Sequence, residues 1–183
     1  MPIDVDLMHV GPGVLALDLD EDDEILVEAT EEGGTLAYSR ALQEIEIAEE
    51  LGAVDYYIDG EEVTFTVVCR ELDVERLKAH FGHGVDTTES ATVDEAGYDE
   101  LAFGGSFQFA EHTLTYTVPQ RKNADLNIII FLRRVVSMTE GELAFQKSAV
   151  TGIPMTFRGM PDLSEARGER LGYIRHETEE PTE

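Results

Sequence analysis

The chain holds few side chains spaced for chemistry, and the strongest arrangement is His80-Phe81-Gly82-His83. Two imidazoles three residues apart share one face of a helix and can ligate a single ion, provided that the helix runs through both. Gly82 stands between them, where a helix that starts at Asp73 is expected to end, and no third ligand lies at a metal-binding spacing. His9, His112 and His176 have no cluster around them and read as surface or strand-edge histidines. Asp18-Leu19-Asp20-Glu21-Asp22-Asp23 has enough carboxylates to hold Ca²⁺ or Mg²⁺ weakly, but it lacks the sixth-position glycine and the distal glutamate of an EF-hand loop. A solvated acidic face is the simpler reading. Cys69, the only cysteine, lies in an alternating apolar run, the setting of a buried and unreactive thiol. A lone thiol excludes an intrachain disulfide and a multi-thiolate zinc site.

Nucleophile and phosphate motifs are missing from the sequence: there is no G-x-S-x-G, no G-x-x-x-x-G-K-[ST], and no G-x-G-x-x-G after a strand. Gly11-Pro12-Gly13 has neither the strand nor the lysine of a phosphate loop and reads as a turn. With 39 Asp+Glu in 183 residues, chance supplies carboxylate pairs at any spacing, so none marks a general acid and base. The expectation is a protein without catalytic residues, cofactor or metal. Arg133-Arg134 are adjacent arginines at the end of an apolar run. Their planar guanidinium groups suit either a bidentate contact with a neighbouring subunit's carboxylate or an ordinary intrachain surface pair.

The elements that would carry these residues are mostly strands. Val63, Phe65, Val67 and Cys69 alternate with Thr64 and Thr66, as a half-buried strand requires. Asp59-Gly60 before them is a turn signal, so a hairpin is expected across Gly60, with Tyr56-Tyr57-Ile58 as its other arm. Further strands are expected at 113–118, 126–136, 142–147 and 153–160, with Pro119 and Pro161 closing two of them. Residues 36–51 admit a helix or a strand, and a strand at 43–48 is preferred. One helix is well specified. Asp73 is a good N-cap, Leu72 and Leu77 are placed as a staple, Val74, Leu77 and Phe81 share a face, and Gly82 falls where a C-terminal glycine belongs. Three stretches look unlike core: an acidic hairpin at 18–32, a long loop or arm at 82–106, and an acidic extension at 165–183 that ends in a disordered tail. The organisation expected is one domain over 1–164 followed by that extension.

Charge narrows the partners. Thirteen Lys+Arg against 39 Asp+Glu give a net charge of −26, which repels phosphate backbones and anionic headgroups, so specific nucleic-acid or membrane-surface binding is not expected. Only Lys78, Lys122 and Lys147 are lysines. High acid with little lysine suits a protein that works in molar salt, where the Debye length of about 3 Å screens self-repulsion. The first residues show no basic and apolar leader, and the longest apolar stretch, 128–132, is stopped by Arg133, so neither a cleaved signal nor a membrane span is expected.

Taken in order, three segments resemble the tail tube protein family of long-tailed viruses, the fold shared with the tube protein of type VI secretion. Gly52-Ala53-Val54-Asp55-Tyr56-Tyr57-Ile58-Asp59-Gly60 and the Val63–Val67 run that follows resemble the family's hairpin. Glu71-Leu72-Asp73-Val74-Glu75-Arg76-Leu77-Lys78 is similar to the entry to its single helix, and Phe145 through Asp162, with Ile153-Pro154-Met155-Thr156-Phe157 as its strand, resembles the family's closing segment. The resemblance covers residues 52–162 and rests on order and spacing. It implies a mainly β fold, a β-sandwich or barrel with one short flanking helix and long loop and terminal arms. It further implies a structural virion protein that forms hexameric rings stacked into a hollow tube, assembled in the host cytoplasm and incorporated in the virion tail. Its partners would be copies of itself and other tail proteins (tape measure, terminator, distal tail), with viral DNA passing through the lumen unbound. Candidate inter-subunit contacts are Phe103, Phe107, Arg133, Arg134 and Arg158, and the hydrophilic sides of 113–118 and 126–136 are the expected lumen wall. A tail terminator, neck or distal ring protein of the same fold is the alternative, and a halophilic binding module or small enzyme is the alternative of another class.

Overall fold

The computed structural model describes residues 13–19, 24–28, 30–46, 52–82, 84–90, 92, 96–105, 109–120, 123–139 and 152–179. The expected strand at 142–147 lies outside them. Among the described residues, ten strands and one helix follow in the order β1 (Val14–Leu17), β2 (Ile25–Val27), β3 (Thr30–Glu46), β4 (Ala53–Cys69), α1 (Val74–Phe81), β5 (Val85–Glu89), β6 (Tyr98–Ala102), β7 (Glu111–Pro119), β8 (Asn127–Ser137), β9 (Ile153–Gly159) and β10 (Gly172–His176). The protein is therefore mainly β with one short helix, and every strand pairing among the described residues is antiparallel.

Eight strands form one sheet in the order β2-β1-β7-β8-β9-β4-β3, with β10 added against β8. The sheet turns a corner on β8. That strand pairs with β10 over Ile128–Leu132 and with β9 only at Val135, Val136 and Ser137. The two halves then face each other: the Phe65 ring of β4 lies 5.0 Å from the Tyr116 ring of β7, although β8 and β9 separate those strands in the sheet. Between the halves lie Leu15, Leu17, Val27, Phe65, Leu114 and Phe157, each essentially fully buried. They come from alternate positions of their strands, because a pleated strand sends every second side chain to the same face.

Tyr116 ties the halves together. Its phenol oxygen accepts the backbone N–H of Gly13 at 2.9 Å and of Gly34 at 2.8 Å, from the chain before β1 and from β3. Gly34 must be glycine, since a Cβ there would stand 2.2 Å from Phe65 Cζ.

The helix is capped as the sequence predicts. The Asp73 carboxylate accepts the Arg76 N–H at 2.8 Å, and Gly82, left-handed at φ 67°, donates its N–H to the Lys78 carbonyl at 2.9 Å. Leu72 remains 46% exposed, so the staple to Leu77 contributes little. Arg76 bonds the Leu26 carbonyl of β2, and His80 donates from Nδ1 to the Pro154 carbonyl of β9, so α1 bridges the two halves of the sheet.

Several expectations are corrected. Gly60 is not a turn, because β4 runs unbroken through it. Ala41 pairs with Gly60 and Leu42 with Ile58, which leaves Asp59 as the extra residue of a β-bulge. Asp-Gly signals a local break in regular pairing, and a bulge satisfies that signal as well as a hairpin turn does. The hairpin is instead β3 with β4, so residues 43–46 of the strand preferred at 43–48 are the distal part of a 17-residue strand, and 47–48 lie outside the described residues. The acidic hairpin at 18–32 contributes to the core through Ile25 and Val27, and the arm at 82–106 contains the paired strands β5 and β6. The extension after residue 164 supplies β10 to the main sheet.

Candidate assembly interface

Among the described residues, the sequence candidates for chemistry are not brought together into one site. His80 is 4% exposed with its Nδ1 committed to Pro154, and His83 lies outside the described residues. Asp18 is 8% exposed, and its carboxylate accepts the Thr113 N–H at 2.7 Å and pairs with His112 at the β7 bulge. It is thus a structural clamp between β1 and β7, and the rest of the acidic run at 20–23 lies outside the described residues. Among the described residues, no group of three or more His, Cys, Asp or Glu is placed to hold a metal. Cys69 is fully buried, bonded to the Glu71 backbone, and burial pushes its thiol up from the ordinary value. A shallow depression of about 420 Å³ over β4 and β9, lined by Thr66, Val68, Pro154 and Thr156, has no ionisable side chain on its walls. No described helix is long and apolar enough to cross a membrane.

The expected inter-subunit contacts are dispersed. Arg133 pairs within the chain with Glu165 at 2.8 Å, and Arg134 pairs with Glu111 at 2.8 Å. Arg158 stands 3.5 Å from Glu62, both about half exposed. Phe103 is 67% exposed and stacks on Phe81 with ring centroids 4.8 Å apart; Phe107 lies outside the described residues. The strands expected to supply an acidic lumen wall carry one carboxylate between them, Glu111, and it is the partner of Arg134. Thr115, on the hydrophilic side of β7, is buried.

The feature that stands out is the distal half of the β3–β4 pair. Beyond Val63 the two strands continue for about eight residues with every described side chain exposed or half-buried. β9 accompanies β4 only over Thr64–Cys69, and β3 has no second neighbour among the described residues. Among the described residues the distal part is therefore a two-stranded ribbon with no further strand on either edge. A ribbon of this kind is marginal in water unless something packs on it. Its side chains do not suit water: Tyr38, Leu42, Tyr56 and Ile58 are 48, 60, 56 and 51% exposed. Leu42 and Ile58 are directly paired and continue the face on which Leu36 and Phe65 meet the core. Arg40 lies over the Tyr38 ring and pairs with Glu61 at 3.2 Å, and its bond to the Tyr38 oxygen raises the guanidinium above its ordinary value.

The sequence carried a signal for this surface. Tyr56-Tyr57-Ile58 places three large apolar residues in succession among carboxylates. A strand with one face on the core and one in water would alternate there, so consecutive apolar residues mark a strand with partners wanted on both faces. No family model matches the chain, and no curated protein matches it.

Proposed function

We propose that this protein is a self-assembling structural subunit, the major tail tube protein of a long-tailed virus, working in high salt. The observation that carries the assembly reading is the β3–β4 ribbon, which beyond the body has no further strand on either edge among the described residues and exposes Tyr38, Leu42, Tyr56 and Ile58. Open edges and apolar side chains on one projection are liabilities in a monomer and become contacts when another chain covers them. The tail tube assignment is supported by the resemblance of segments 52–162 in order and spacing, and by a mainly β body with one flanking helix. Stacked rings of such subunits would enclose a lumen whose net negative charge lets DNA slide without binding.

The charge sets the condition for assembly. Subunits carrying −26 each repel one another unless molar salt screens them over about 3 Å. Purified protein imaged by negative stain in molar salt is expected to form stacked rings or tubes that dissociate on dilution into low salt. Single closed rings would indicate a terminator or distal ring protein instead. A persistent monomer at every salt concentration would refute the assembly reading, and tubes indifferent to desalting would refute the high-salt reading.

A further inference from the structure

The C-terminal strand is the least explained part of the fold. β10 buries none of its own side chains, and Tyr173 and Ile174 are 38 and 65% exposed. It is nevertheless built firmly into the sheet. Its residues pair with Ile128–Leu132 of β8, the Tyr173 ring stacks on Phe131 at 5.0 Å, and Arg133 N–H and Glu177 N–H bond the Leu171 and Asn127 carbonyls at its two ends. Gly172, at φ 151°, has no room for a side chain, because a Cβ would stand 1.9 Å from the Phe131 carbonyl oxygen. None of this strand's own side chains is buried, which leaves its far edge for another partner. Among the described residues no other strand pairs along that edge, and Ile174, opposite Ile130 on the core-facing side of the sheet, stays 65% exposed beyond the core.

Charge distinguishes this edge from the rest of the surface. Residues 166–176 hold three arginines and one carboxylate, in a chain where acids outnumber Lys+Arg by 39 to 13. The ribbon is the opposite: residues 38–46 and 53–62 hold six carboxylates and one cation, Arg40. Both surfaces offer a strand edge and exposed aliphatic side chains, and they differ in the sign of their local charge. Two ribbons matched to each other would bring like charges together, which disfavours self-pairing relative to the mixed pair.

We propose that β10 is the receiving edge for the β3–β4 ribbon of a second copy of this chain, in a head-to-tail contact. The proposal rests on the assembling-subunit reading and specifies which two surfaces meet. Because the contact joins two different surfaces, each copy retains one free ribbon and one free β10, and association continues until a ring closes or a filament grows. It also gives the extension after residue 164 a role in assembly.

The test uses two full-length variants at exposed positions, Leu42→Glu in the ribbon and Ile174→Glu in β10, studied by light scattering after size exclusion in molar salt. Each alone is expected to associate about tenfold more weakly or worse, as loss of a central apolar contact does, while keeping the wild-type circular dichroism. Mixed in equal amounts they are expected to form a 1:1 dimer and nothing larger, because one intact ribbon then meets one intact β10. Wild type that assembles while the mixture stays monomeric, or either variant assembling like wild type, overturns the pairing and leaves the tube reading standing. A 1:1 dimer from the mixture with wild type that stops at a small closed ring supports the pairing and removes the tube. Wild type that is monomeric throughout refutes both. A variant that loses its circular dichroism is replaced by Leu42→Ser or Ile174→Ser, judged by the same outcomes.

Discussion

The proximal and distal halves of the β3–β4 pair carry apolar pairs on one continuous face and have opposite surroundings. Proximally, Leu36 and Phe65 face each other across the pair, and Phe65 is fully buried against Tyr116. Distally, Leu42 and Ile58 face each other on the continuation of that surface and are more than half exposed. Alternation is a property of a strand's own residues, whereas burial depends on what lies across from it. Removing a Phe or Leu side chain from water is worth about 1.5–3 kcal/mol. The proximal half realises that gain within the chain, and the distal half realises it only on association.

The largest effect expected is in the proximal half. Phe65→Ala should destabilise the monomer by about 3–5 kcal/mol through lost contacts and the cavity left behind, while Leu42→Ala should change it by about 0.5 kcal/mol or less. Urea unfolding at one fixed salt concentration compares them. A Leu42→Ala cost above about 1 kcal/mol would mean that the ribbon already packs on its own body, and the contrast would collapse.

Tyr116→Phe sharpens the contrast at the point where the sheet halves meet. It keeps the ring against Phe65 but removes the oxygen that accepts the Gly13 and Gly34 N–H groups. Leaving donors without a partner in a buried site should cost about 1–3 kcal/mol. The same unfolding measurement, with hydrogen exchange at the Gly34 amide, checks it: exchange should accelerate there first and leave the distal ribbon unchanged. Asp73→Ala ranks below this, at about 1 kcal/mol for the lost N-cap. Its readout is faster amide exchange at Arg76, the bonded donor.

Much of the body was legible from local residues. The strands at 63–69, 113–118, 126–136 and 153–160 and both caps of α1 follow from alternation and from Asp73 and Gly82, since those features act within a few residues. What was not legible depends on distant partners. Asp59-Gly60 specifies a break in pairing but not whether the chain reverses, and only the 17-residue partner strand decides for a bulge. Asp18 reads as one acid among many until His112 and Thr113, more than ninety residues away, bring their donors to it. Ile25 and Val27 were obscured by the carboxylates around them. β10 was hidden in a charged extension because its pairing is supplied by β8 and not by any apolar pattern of its own. The candidate interface was half visible, in Tyr56-Tyr57-Ile58, whereas the arginines chosen as contacts were taken up by intrachain carboxylates.

The smallest effect lies in the connection that leads to β10. The Asp162 carboxylate accepts the Ser164 hydroxyl at 2.7 Å and its N–H at 2.9 Å. These bonds favour the charged form and hold Asp162 below its ordinary 3.8, with the Arg134 and Arg133 charges adding less. A carboxyl lowered in the folded state contributes stability that is present above 3.8 and is lost as pH falls through its folded value. Because Asp162 lies at the surface, only half-buried, this contribution is screened by solvent and should be read from titration instead of unfolding. The carboxyl carbon followed by NMR should titrate below the ordinary value in wild type. It should move up most in Ser164→Ala, where the hydroxyl is gone, and less in Arg134→Ala. An equal or larger shift in Arg134→Ala would make charge the governing cause, and would mean that the basic surface beside β10 reaches further along the connection than the hydrogen-bonded turn does.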